Sequence, residues 1–117
     1  MAKGSFGVSF DKENDLMSLF MEGKKAKFSF DLNFPKGDVV VDFGFQGEIV
    51  GIEFFNASSY FPLLKKVKSD VKLKGKFSVQ YSKEWAQVSL EVFAPGMEKS
   101  VVENFNLPYS KEIILRN

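Results

Sequence analysis

The 117-residue chain contains no cysteine and no histidine. Without cysteine there is no disulfide framework, no thiolate nucleophile and no sulfur ligand for a metal. Without histidine, the usual general base near neutral pH and the commonest metal ligand are gone as well. Arginine occurs once, at Arg116, so the planar fork favoured for phosphates and bases is nearly absent. Sixteen basic residues against fifteen acidic ones leave a formal charge of +1, which argues against a dedicated polyanion binder. No apolar run approaches the roughly 20 residues of a membrane span, and no signal-peptide core is visible. The expectation is one cytoplasmic domain covering 1–117, with no cofactor, no metal and no catalytic residue. What the chain does have is phenylalanine, fourteen of them.

Those aromatics fall into alternating patterns, the mark of strands with one buried face. Over 26–34, Phe28, Phe30, Leu32 and Phe34 share one side, and Lys27, Ser29, Asp31 and Asn33 share the other. Residues 6–10 and 16–21 form a hairpin around a polar turn, pairing Phe10 with Met17, Val8 with Leu19 and Phe6 with Met21. A second hairpin over 39–55, with Gln46-Gly47 at its tip, pairs Val39 with Phe54, Val41 with Ile52 and Phe43 with Val50. A third, from 77–81 and 87–92, pairs Tyr81 with Val88, Val79 with Leu90 and Phe77 with Val92. Each register collects the apolar side chains on one face, as a half-buried sheet requires. Between the second and third hairpins, residues 58–67 read as one short helix capped by Asn56 or Ser58, with Pro62 in its first turn and lysines at its end. The fold class is therefore α+β, mostly antiparallel sheet of about seven to eight strands, with the helix covering one face.

The first and third hairpins look like copies. A shift of 71 residues overlays 6–34 on 77–105 with nine identities, among them Phe6 on Phe77, Val8 on Val79 and Leu19 on Leu90. Duplication and coincidence are the two readings of that overlap.

The stretch VSFDKENDLMSLFM, followed after a gap by VVVDFGFQGEIVGIEFFNAS, resembles a known family. A strand, an acidic turn and a second strand precede V-x-D-x-x-x-x-G-x-I-V-G-I-E and Asn-Ala-Ser, a pattern similar to domain-of-unknown-function family 2283 over about residues 8–61. The resemblance implies a short prokaryotic or archaeal protein without an established activity and, at most, an antitoxin-like role. The chain departs from the family in its C-terminal extension, residues 70–117. It also carries Phe43-Gly44-Phe45-Gln46 where the family has an acidic turn.

Four groups of residues are candidates for function. Asp11, Glu13, Asp15 and Glu22 mimic positions 1, 3, 5 and 12 of a calcium loop, but Leu16 replaces its turn glycine and strand follows at once, so a solvated acidic turn is expected. Asp42 and Glu53 share an outward face, where nothing would split their pKa values for acid–base work. Lys65, Lys66, Lys68, Lys72, Lys74 and Lys76 form a basic run near Phe77, Tyr81 and Trp85, a pattern that could hold a nucleic-acid strand or could simply guard a sheet edge. Finally, Phe20, Ile49 and Phe55 point away from the expected core, with Trp85 at a hairpin tip and Ile113-Ile114-Leu115 near the end of the chain. Exposed apolar surface of this kind marks an interface. The expected function is a non-enzymatic protein–protein interaction module, a homodimer burying Phe20, Ile49, Phe55 and Trp85, with strand-edge pairing as a further mode. Nucleic-acid binding through 65–76 is the alternative.

Overall fold

In the computed structural model, residues 5–68, 72–95 and 100–116 are described. The chain forms eight strands in two antiparallel sheets. Sheet A takes β1 (Phe6–Asp11), β2 (Leu16–Met21), β3 (Phe28–Leu32), β4 (Val39–Phe43) and β5 (Ile49–Phe55) in the spatial order β1-β2-β5-β4-β3. Sheet B is a meander of β6 (Lys74–Tyr81), β7 (Trp85–Phe93) and β8 (Val101–Pro108). The mostly antiparallel class is as expected. The cover on the inner face of sheet A is a correction: it is the second sheet, not a helix. Met17, Leu19, Val41, Phe43, Ile52 and Phe54 from sheet A meet Ala86, Val88, Leu90 and Val92 from sheet B, all at most 1% exposed.

The first hairpin has the expected register, Phe6 to Met21, Val8 to Leu19 and Phe10 to Met17. The second keeps Val39 to Phe54 and Val41 to Ile52, but Phe43 faces Ile49 instead of Val50. One extra residue on β5 makes a bulge there, and strand parity reverses beyond it. The third hairpin is slid by two residues, giving Tyr81 to Ala86, Val79 to Val88 and Phe77 to Leu90. Its turn is tight, with the Ser82 N–H bonded to the Trp85 carbonyl at 2.8 Å. A slip of two preserves every inward residue, so alternation does not distinguish the two registers.

The expected helix over 58–67 is broken in two at Phe61. A single turn, α1 (Ala57–Tyr60), precedes a 3-10 turn over Pro62–Lys65, with Pro62 at its start. Proline has no N–H to continue the ladder and crowds the carbonyl four residues before it. Neither Asn56 nor Ser58 caps this segment with its side chain. Asp15 does so from the β1–β2 turn, accepting the Ser58 N–H at 2.9 Å and the Ser58 hydroxyl at 2.7 Å. Phe61, Leu63, Leu64 and Val67 are buried and close one end of the sandwich. A second helix, α2 (Lys111–Arg116), was not anticipated from the sequence. It buries Ile114 and leaves Leu115 exposed, while the side chain of Ile113 lies outside the described residues.

The two similar hairpins do occupy matching places at the start of each sheet. Their third strands do not: β8 pairs directly with β7, whereas β3 lies at the far edge of sheet A beside β4.

Candidate interaction surfaces

The outer face of sheet A is built by the residues between the core positions. Cross-strand pairing lays them out in rows. One row runs Gly7, Phe20, Gly51, Asp42, Ser29; the next Ser18, Glu53, Val40, Asp31; a third joins Leu16 to Phe55. No described element packs over this face. Phe20 and Phe55 are 39% and 45% exposed. The Phe20 ring lies flat on its neighbour Gly7, where an added Cβ would fall 2.4 Å from the ring. Asp42 leans over Gly51 and accepts the Ser29 hydroxyl. Partial burial pushes the Glu53 carboxyl above its ordinary pKa, the nearby Asp42 charge adds to this, and the Ser18 hydroxyl opposes it. Asp11, Asp31, Asp42 and Glu53 all stand on this face, and none of its strand positions carries a cation. Its strand positions are acidic with two aromatic anchors, and Lys72, Lys74 and Lys76 border it at the cavity beside Gly7 and Phe20.

Asp42, Gly51 and Glu53 are also residues that carry the family resemblance, while Ile52 beside them serves the core. Residues 8–58 match the family model described as Protein of unknown function (DUF2283). An uncharacterized protein of Methanocaldococcus jannaschii is 41% identical over 54 residues, which make up 46% of this chain and 43% of that one. The chain thus spans less than half the length of that relative. No solved structure matches. The DUF2283 segment runs from within β1 to the start of α1, so it is nearly coextensive with sheet A and stops before sheet B.

The residues expected to form one patch are not together. Ile49 is a correction: it is 2% exposed and packed in the core. The bulge turns it inward opposite Phe43 and directs its N–H to the Tyr81 hydroxyl at 2.8 Å. Val50, the extra residue, is buried against Gly44. Trp85 is 53% exposed, but it opens β7 on sheet B and is paired with Pro108, far in the fold from Phe20 and Phe55. The most exposed aromatic, Phe45 at 64%, sits at the tip of the second hairpin and was marked in the sequence only as a departure from the family.

Lys72, Lys74 and Lys76 line an open cavity with Phe6, Phe20 and Phe93, not with the aromatics named from the sequence. Lys65, Lys66, Lys68, Lys72, Lys74 and Lys76 are exposed, and Lys76 lies 3.6 Å from Glu91. Phe77 is buried, Tyr81 packs its ring against Tyr109 at 5.0 Å, and Trp85 is at the opposite end of the hairpin from Lys74. In the acidic turn, Asp11 accepts from the Asn14 backbone and side chain, and Asp15 is committed to Ser58. Among the described residues no three acidic groups converge as a metal site, and no helix is long and apolar enough to cross a membrane.

Proposed function

We propose that the protein is a non-enzymatic protein–protein interaction module that binds through the outer face of sheet A. The observation that supports this is the uncovered face, with Phe20 and Phe55 set among Asp11, Asp31, Asp42 and Glu53. Aromatic anchors in a polar surround are the usual makeup of binding hot spots. The carboxylates select a basic partner and speed its encounter. The Ser29 and Ser18 hydroxyls are held against Asp42 and Glu53 on an open face, an arrangement that suits binding.

The same acidity bears on self-association. A two-fold homodimer would set this face against itself, where Asp11, Asp31, Asp42 and Glu53 would meet no cation from its strand positions. Self-association through this face would instead set its carboxylates against the lysine run 65–76 of another copy, whose Lys72, Lys74 and Lys76 border the face beside Phe20. A small basic toxin-like protein is another partner of the right chemistry, which is the form an antitoxin-like role would take.

Phe55→Lys tests the reading, because it removes an anchor and adds a charge that a basic partner avoids. Light scattering and affinity capture, compared with wild type, are expected to show native mass falling to that of the 13.2 kDa chain and loss of any basic partner. Wild-type association is expected to weaken with salt. A variant that keeps the mass and partners of wild type refutes this placement.

A further inference from the structure

Sheet A is two strands wider than sheet B. At about 4.8 Å between strands, five strands span roughly 19 Å and three roughly 10 Å. The excess falls on one side only. At the other side β1 is seated on β6: Phe6 meets Phe77 at 5.0 Å, and a Cβ on Gly75 would lie 3.2 Å from the Val8 side chain. Sheet B then reaches β5 and β4, with Phe105 on Phe54 at 6.4 Å and Tyr109 on Phe43 at 6.3 Å, and Phe105 also meets Phe34, just past the end of β3, at 6.4 Å. On the inner face of β3, Phe28 and Leu32 pack against the core while the middle of the strand projects beyond sheet B. Phe30 occupies an inward position opposite Val41, yet it is 43% exposed, and Phe34 is 36% exposed. Two open cavities of about 370 and 340 Å³ lie along this seam. Phe30, Leu32, Pro108 and Ile114 border the first; Phe34, Phe54, Tyr60 and Phe105 border the second. Among the described residues β8 is the last strand of sheet B, so the backbone groups on its far edge have no strand partner there.

We propose that this seam takes one extended segment of another protein, which adds to β8 as a fourth strand of sheet B and lays alternate apolar side chains over β3. This deepens the interaction-module reading and rests on it, although it uses a different surface. Strand addition of this kind draws affinity from main-chain hydrogen bonds and specificity from alternate side-chain pockets. A seven-residue segment is about 23 Å long, which fits along the eight residues of β8.

Charge defines the partner further. Glu103 points inward from the middle of β8, opposite Leu90. It lines the second cavity, and Glu84 lines the first. Glu103 shares the second cavity with Tyr60 and with Lys36, whose ammonium lies 5.7 Å over the Tyr60 ring. An inward charge on an edge strand works against pairing with another copy of itself. Of the four edge strands that the described residues of a second copy offer, β1, β3 and β8 carry no cation, and the lysines of β6, Lys74 and Lys76, alternate with inward Phe77 and Val79 and so stand on the face opposite to that of Glu103. The segment that fits is foreign, apolar at alternate positions, and carries Lys or Arg opposite Glu103.

The test uses the isotope-labelled full chain and pools of blocked nine-residue peptides, followed by amide NMR. Inward positions are Val, Ile or Phe, outward positions are Thr, and one central inward position is Lys. Matched pools carry Glu in place of that Lys, or Pro at alternate outward positions. The lysine pool is expected to shift and protect amides of Val101–Pro108, to bind at least tenfold tighter than the glutamate pool, and to lose binding in the proline form. Glu103→Lys reverses the preference and Glu103→Gln levels it. Phe55→Lys binds the peptides like wild type, so failure of the sheet-face reading and failure of this one are distinguishable. Amides of β8 unmoved at millimolar peptide, or pools that bind equally, overturn the proposal.

Discussion

Tyr109→Phe probes how the two sheets hold together. The Tyr109 hydroxyl is buried and donates to the Gly47 carbonyl at 2.8 Å, tying the end of β8 to the tip of the β4–β5 hairpin. The substitution keeps the ring and its stacking and deletes one oxygen. A buried acceptor left without a partner costs about 1–3 kcal/mol. A carbonyl at a hairpin tip regains some hydration, which places the expected loss near about 1.5 kcal/mol. For a domain of this size that is a fall in Tm of roughly 6 °C, or about 1 M in the urea midpoint at an unchanged slope. Tyr81→Phe removes the acceptor for the Ile49 N–H that the bulge releases, and it acts on the same hairpin. The double variant should therefore lose less than the sum of the singles. Calorimetry and urea unfolding read both quantities. A Tyr109→Phe protein within about 0.3 kcal/mol of wild type, smaller than the effect of any lost buried hydrogen bond, would refute the clip.

The other predictions are smaller in scale. The tyrosines Tyr60, Tyr81 and Tyr109 all have hydroxyls raised above the ordinary value of 10.0, with burial the first cause in each. Stability should be intact below about pH 10 and fall as pH rises through the higher folded values, because the unfolded tyrosines ionise first; a flat alkaline profile by circular dichroism would contradict this. Glu53 is also raised, so its ionised form opposes folding: Glu53→Gln should raise Tm at pH 7, and the gain should vanish on acidification below the ordinary glutamate value of 4.5. Asp15→Ala loses both bonds to Ser58 and puts Ala at a positive φ of 53°, for a cost of roughly 2–3 kcal/mol, whereas Asp15→Asn should cost about half as much in urea unfolding. Gly7→Ala must lift the Phe20 ring; amide NMR should show shifts confined to β1 and β2 with the fold retained.

Alternation made the first hairpin legible, because a slip of one residue would bury Ser18 and expose Leu19. It could not fix the third hairpin, where a slip of two leaves Phe77, Val79, Val88 and Leu90 inward in either register. The bulge at Val50 was hidden for a related reason: Ile49 and Val50 are both apolar, so nothing in the pattern marks where parity changes. The break at Phe61 had a visible cause in Pro62, yet the apolar spacing of Phe61, Leu64 and Val67 also suits one continuous helix. Where Trp85 would lie depended on how two sheets stack, a long-range matter on which strand periodicity is silent. The acidity of the outer face was readable once Asp31, Asp42 and Glu53 were assigned outward, but only the strand order places them side by side with Phe20.

The extent of the DUF2283 match limits where function can reside. The matched residues build one sheet whose inner face presents Leu19, Val39, Val41, Phe43, Ile52 and Phe54, all at most 1% exposed here. Burying a side chain of this size contributes about 1.5–3 kcal/mol, so exposing six would forfeit on the order of 10–15 kcal/mol. That is about the whole stability of a typical domain. The segment therefore needs a cover, and in this chain β6 to β8 supply it. Once the inner face is committed to sheet B, the binding role proposed above is left to what the cover does not reach. That is the outer face, with Phe20 and Phe55 among carboxylates, and the overhang at β3, where sheet B is too narrow. Both combine exposed aromatic rings with carboxylates, so the proposed binding role would call for a partner with apolar and basic groups at either surface.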